Sequence, residues 1–228
     1  MPASDFRRYS RVAQHKNICY NMSMKKVLLF IPNGAEILEA AAFIDIFGWD
    51  SICGSRSCQL TIAASKSPIQ AGFGPALCSN ILLNEAKAKD YDALAIPGGF
   101  PRHGYFRDLE EQALSLIRSF HELEKPIAAV CTASLLLAKA GILADRRATT
   151  YISEDTYFFS QLTAAGALLI NEPLVQDGHI ITSQGPSTAI DAALLLLGFL
   201  TDENNADYVR KIMGFSIATI GANSNQKS

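Results

Sequence analysis

No apolar run in the sequence is long enough to cross a bilayer: Gly, Pro or charge breaks each one well before the about 20 residues that a spanning helix needs. A basic surplus is also lacking. The formal net charge is -2, and no Lys/Arg stripe alternates with aromatics, so nothing favours a nucleic-acid partner or a membrane surface. The five cysteines (Cys19, Cys53, Cys58, Cys78, Cys131) are an odd set without a C-x-x-C pair, which fits neither a disulfide framework nor a metal site. Free thiols in a reducing, cytoplasmic compartment are expected, with at least one available for chemistry.

What is present is the composition of a globular protein, 49% hydrophobic and 18% charged over 228 residues, enough for one large domain around one core. Residues 1–23 stand apart: Arg7, Arg8, Arg11 and Lys16 face a single acid, Asp5, without the apolar segment of a secretory signal. This stretch reads as a disordered basic extension ahead of Met24-Lys25-Lys26, with organelle targeting as the sharper alternative. The domain is expected over 24–215, followed by a loose polar tail at 216–228.

Within the domain, strand-like and helix-like segments alternate at the spacing of βα units, which implies a mostly parallel sheet covered on both faces. Continuous apolar runs at 27–31, 59–64, 92–96 and 126–130 predict buried strands, and 175–182 alternates around the turn pair Asp177-Gly178. Helical spacing predicts helices from Ile37 to about Gly48, over 109–123, over 132–140 closed by Gly141, over 153–165 between short strands at 147–151 and 167–170, over 188–200, and over 204–213. Residues 68–80 read as a small β-excursion.

Reactive groups in such folds gather beyond the carboxyl ends of the strands. Cys131 falls between a strand and a helix, where free N–H groups and the helix dipole favour a thiolate. A small, apolar, inert cysteine is the plainer reading of the same residue. Pro97-Gly98-Gly99 closes a buried strand with a loop that needs either a positive φ or a close backbone approach. Beside Cys131, its amide and that of Thr132 would form an oxyanion hole. Glu36 and Glu39 share one face at the start of a helix; buried near a thiolate, one of them would have its pKa raised and would carry a proton.

Four segments taken together, VLLFIPNGAEILE at 27–39, AIPGG at 95–99, IAAVCTAS at 127–134 and TSQGPST at 182–188, resemble the ThiJ/PfpI superfamily, a class I glutamine amidotransferase-like group. Within it they are most similar to the branch of the Parkinsonism-associated deglycase. The resemblance implies a flavodoxin-like three-layer sandwich, a homodimer, a nucleophile-elbow cysteine at Cys131, its acidic partner at Glu39, and oxyanion donors at Gly99 and Thr132. Glu36, Gly98 and His103 are further candidate site residues, and the apolar first helix, with Phe43, Ile46 and Phe47, is expected to supply a dimer face. No cofactor and no metal are implied; the partner is a small electrophile.

The pattern also departs from its relatives. Thr132 stands where protease-like members carry a histidine, so intracellular peptidase activity loses its general base. Residues 152–178 hold no histidine for a glyoxalase-type triad; of His15, His103, His121 and His179, only His103 follows a site loop. Gln184 occupies a place where the deglycase branch often has an arginine. Three functions are expected in competition: a cofactor-free glyoxalase or deglycase acting on carbonyls such as methylglyoxal, a redox sensor or chaperone working through Cys131 oxidation, and a hydratase resembling isonitrile hydratases.

Overall fold

The structure, a computed structural model, describes residues 24–107, 111–152 and 156–215; the basic extension and the polar tail lie outside the described residues. In chain order the strands are β1 (Lys25–Phe30), β2 (Cys58–Ala64), β3 (Ile69–Gln70), β4 (Ala76–Leu77), β5 (Ile81–Leu82), β6 (Ala93–Ile96), β7 (Ile127–Val130), β8 (Arg147–Ala148), β9 (Leu168–Leu169), β10 (Leu174–Asp177) and β11 (Ile180–Ser183). The helices are α1 (Ile37–Cys53), α2 (Glu111–Glu122), α3 (Ser134–Lys139), α4 (Tyr157–Ala164), α5 (Ala189–Leu200) and α6 (Glu203–Ile212).

Seven strands form one sheet in the order β10-β11-β7-β6-β1-β2-β5. Every pairing in it is parallel except β10 with β11, which the Asp177-Gly178 turn folds back. Parallel strands are covered on both faces, so Val27, Leu28, Leu29, Leu94, Ala95, Ala128 and Ala129 are all fully buried and the strands read as unbroken apolar runs. Helices α1, α5 and α6 pack on one another, and α3 packs on α2 and α4. This is the expected flavodoxin-like α/β arrangement. The excursion after β2 is the β3–β4 hairpin, and β8 pairs in parallel with β9 around α4. No helix among the described residues is long and apolar enough to cross a membrane.

Two expectations change. The first helix does not stop at Gly48 but runs to Cys53, with Gly54 as its cap. A helical glycine costs about 1 kcal/mol, and the extra turn carries compensation: buried Asp50 Oδ1 accepts from Ser55 N (3.0 Å), Ser55 Oγ (3.0 Å) and Asn205 Nδ2 (2.8 Å). Phe43, Ile46 and Phe47, expected as a dimer face, are 0–1% exposed and belong to the core. Their i, i+3, i+4 spacing marks the inward stripe of α1, since a helix in this fold buries its most apolar side first.

Candidate active site

Strand β7 ends at Val130, and the chain turns through a short 3₁₀ segment, Cys131–Ala133, into α3. Cys131 itself takes φ +59°. A left-handed backbone at a cysteine costs about 1–3 kcal/mol and persists only where the surroundings impose it. Here the Cys131 carbonyl accepts from Ser134 N and from Thr150 Oγ1 at 2.9 Å, two donors that hold the reversed peptide. The side chain is thereby presented at the carboxyl edge of the sheet, only 7% exposed.

Antiparallel to the strands, α1 brings its first turn to the same edge. Glu36 caps the helix by accepting from Leu38 N at 3.2 Å, while Glu39 points inward and is 0% exposed. Glu39 Oε2 accepts from Gly98 N at 2.6 Å, its Oε1 has no hydrogen-bond partner among the described residues, and the carboxyl lies beside the Cys131 side chain. Burial pushes the Glu39 pKa from 4.5 up to about 7; the Gly98 N–H and the nearby Cys131 thiol oppose the rise, and the charge of Glu36 adds to it.

The Cys131 thiol is not depressed by the helix start, as the sequence suggested. Burial, and next the charge of Glu39, push it well above its ordinary value, against which the Thr132 N–H and hydroxyl favour the thiolate. The physical reason is the shape of the elbow: α3 spans only six residues and follows a 3₁₀ turn, so its dipole is small beside the cost of enclosing a charge.

The glycines are needed for close approach. A Cβ at Gly98 would lie 2.6 Å from Cys131 Cβ and 2.9 Å from Glu39 Oε2. At Gly99 it would overlap the Tyr105 ring and Gly34 O. The role expected of Gly99 changes, however. Its N–H donates to Thr132 Oγ1 at 2.9 Å, and that hydroxyl donates back to Gly99 O at 2.9 Å. Gly99 therefore fastens Thr132 to the loop, and the amide facing the sulfur is that of Thr132.

Cys131, Glu39, Gly98, Gly99 and Thr132 are thus brought together, with Glu36 at the rim. His103 is not joined to them: its exposed ring packs on Phe73 and Phe100, with centroids 5.9 and 5.8 Å away. His121 and His179 pair with each other at 2.9 Å, at the far end of the sheet. Gln184 donates to Asn171 Oδ1 at 3.0 Å. Two residues with no sequence signal also serve the site, Thr150 on the Cys131 carbonyl and Tyr105, whose buried hydroxyl donates to Pro97 O at 2.6 Å.

A strained cysteine between strand and helix, enclosed beside a glutamate on the first helix, marks an α/β protein with an elbow cysteine at the carboxyl edge of its sheet. The chain belongs to the DJ-1/PfpI family, whose model matches residues 25–198. It is 26% identical over 191 residues to Protein DJ-1 homolog A of Arabidopsis thaliana, covering 83% of this chain and 46% of that one. It is 34% identical over 119 residues to the isonitrile hydratase of Pseudomonas putida, covering 52% of this chain and 50% of that one. The chain therefore spans about half the length of these two relatives. The crystal structure of Drosophila melanogaster DJ-1beta superposes with a TM-score of 0.72 at 24% identity, covering 83% of this chain and 97% of that one.

Proposed function

We propose that the protein is a cofactor-free enzyme of the glyoxalase or deglycase kind, in which Cys131 adds to small dicarbonyls such as methylglyoxal and Glu39 moves the protons. The observation that carries this reading is the Glu39 carboxyl, fully buried on the Gly98 N–H beside Cys131, where burial raises its pKa to about 7. A carboxyl poised there both accepts and returns a proton near neutral pH.

As the sulfur forms its bond to the aldehyde carbon, Glu39 takes the thiol proton and passes it to the new hemithioacetal oxygen, which the Thr132 N–H faces. Glu39, again ionised, removes the proton from that carbon and delivers it to the neighbouring ketone carbon, while the hydroxyl proton of the hemithioacetal passes to the ketone oxygen through the enediol. The aldehyde carbon is oxidised to a thioester while the ketone is reduced to an alcohol, so no external electrons are needed. Water cleaves the thioester, releasing lactate and restoring the thiol. Purified protein incubated with methylglyoxal should form lactate, with turnover abolished in Cys131→Ser; production no faster than that variant refutes the reading.

A second reading is hydration of isonitriles, supported by the likeness to the P. putida enzyme and by a thiol, a carboxyl and Thr132 gathered without a histidine. Cys131 would add to the isonitrile carbon, Glu39 would protonate that carbon, and water would release the N-substituted formamide. Formamide production from a panel of isonitriles, without lactate from methylglyoxal, would select it. We keep a reducing cytoplasm as the expected compartment, a reading supported by the four free cysteines of the described residues.

We also retain a homodimer as the expected assembly, now on the outward stripe of α1, where Leu38, Trp49 and Ile52 are 59%, 41% and 67% exposed. Sedimentation of a monomer at micromolar concentration would remove it.

A further inference from the structure

Tyr105 is 1% exposed, yet it sits in a loop where an apolar residue would fill the space as well. Its ring lies against the Cα of Gly99, and its hydroxyl donates to Pro97 O at 2.6 Å. The neighbouring peptides of that loop are held just as closely: Gly98 N by Glu39 Oε2 (2.6 Å), Gly98 O by Glu36 N (2.8 Å), and both ends of Gly99 by Thr132 Oγ1. The Pro97 carbonyl and the Gly98 N–H belong to one planar peptide, so the Tyr105 bond fixes the plane in which that N–H meets Glu39.

We infer that Tyr105 is a positioning residue, which acts through the Pro97–Gly98 peptide to aim the Gly98 N–H at Glu39 and thereby sets how the proton is divided between Glu39 and Cys131. Three groups bear on Glu39 here: Glu36 on its own helix, Cys131 at the elbow, and Tyr105 itself in the loop. Of the contacts to Glu39, the Gly98 bond is the strongest that favours its charged form. Loosening it makes Glu39 hold its proton more often, and a neutral Glu39 donates to the sulfur instead of repelling its charge. The thiolate is then more populated near neutral pH.

This inference rests on the pairing of Glu39 with Cys131, but its test needs no substrate. The rate of iodoacetamide alkylation at Cys131, followed by peptide mass from pH 5 to 10, reads the thiolate directly. Tyr105→Phe keeps the ring against Gly99 and removes only the hydroxyl. At pH 8, where Glu39 of the parent is mostly ionised, it should alkylate about 3-fold faster, which is a free-energy change of roughly 0.6 kcal/mol. In a Glu39→Gln background the same substitution should leave the profile unchanged, because its route runs through the carboxyl. Profiles that superimpose for Tyr105→Phe and the parent would overturn the inference, as would an acceleration that survives in the Glu39→Gln background. A lack of lactate formation, by contrast, bears on the proposed reaction and leaves this result standing.

Discussion

The two ends of α1 each enclose a carboxylate, and they have put it to different ends. Glu39 and Asp50 are both 0% exposed, and each has one oxygen without a hydrogen-bond partner among the described residues. Asp50 Oδ1 gathers three donors from the α1–β2 turn and from α6, all groups with no proton to trade near neutral pH. Glu39 Oε2 has one backbone donor, and the carboxyl shares its remaining contact with a thiol. Burial alone therefore does not make a proton carrier. A carboxyl surrounded by fixed donors anchors the chain, and one left short of them beside a titratable sulfur can move a proton.

The sharpest break in this comparison is kinetic. Glu39→Gln keeps the shape and removes the exchangeable charge, so lactate formation should fall by about 10²–10⁴-fold, the usual worth of a positioned acid or base. Asp50→Asn should leave kcat within about 2-fold. Equal losses in steady-state assays of the two variants would mean that both carboxylates act only through the fold.

Next in size is the dependence of stability on pH. Glu39 moves from 4.5 to about 7 on folding, so the folded state prefers its protonated form. That preference stabilises fully below 4.5 and is lost as pH rises through 7, a change of about 3 kcal/mol. Glu39→Gln has no such proton to lose. In urea melts its stability relative to the parent should climb between those two pH values, and a constant difference would show that Glu39 is no more proton-hungry folded than unfolded. Asp50→Asn sharpens the contrast from the other side: it puts an amide with an unmatched N–H where the unpartnered oxygen stood, and should cost about 1–3 kcal/mol at pH 7 in the same melts.

How much of this could be read in advance follows from where the information sits. Cys131 and Glu39 were legible because strand ends, turn glycines and helix starts announce themselves within a few residues. The sheet was legible because buried parallel strands leave unbroken apolar runs. Choices made across the fold were not. Whether Gly99 N–H stays open or binds Thr132 Oγ1 is settled by two segments 33 residues apart. Tyr105 carries no local pattern at all, since its partner is a carbonyl. The end of α1 lies beyond Gly48 because Asn205, distant in sequence, arrives from α6 to hold the next turn. Phe43, Ile46 and Phe47 were apolar enough for either a core or an interface, and only the packed sheet decides between them.

The smallest expected effect lies at the amino end of the sheet, where titratable groups again meet but none is reactive. His121 Nδ1 and His179 Nε2 are 2.9 Å apart, half-buried, at the end of α2 and in the β10–β11 turn. Burial first lowers both pKa values from 6.5; Arg146 lowers both further, His121 also lowers His179, and Glu124 opposes in each case. Groups held below their unfolded values stabilise fully above 6.5, and that support is lost as pH falls through the folded values. This slope runs opposite to that of Glu39, so the Glu39→Gln variant, in which the carboxyl no longer titrates, is the background in which to see it. There, adding His179→Gln should flatten the fall in the urea midpoint below pH 6.5 while leaving the pH 8 midpoint nearly unchanged. An acid limb that keeps its slope would mean that the pair charges as freely in the fold as in the unfolded chain, and that the contrast between the two ends of the sheet belongs to Glu39 and Asp50 alone.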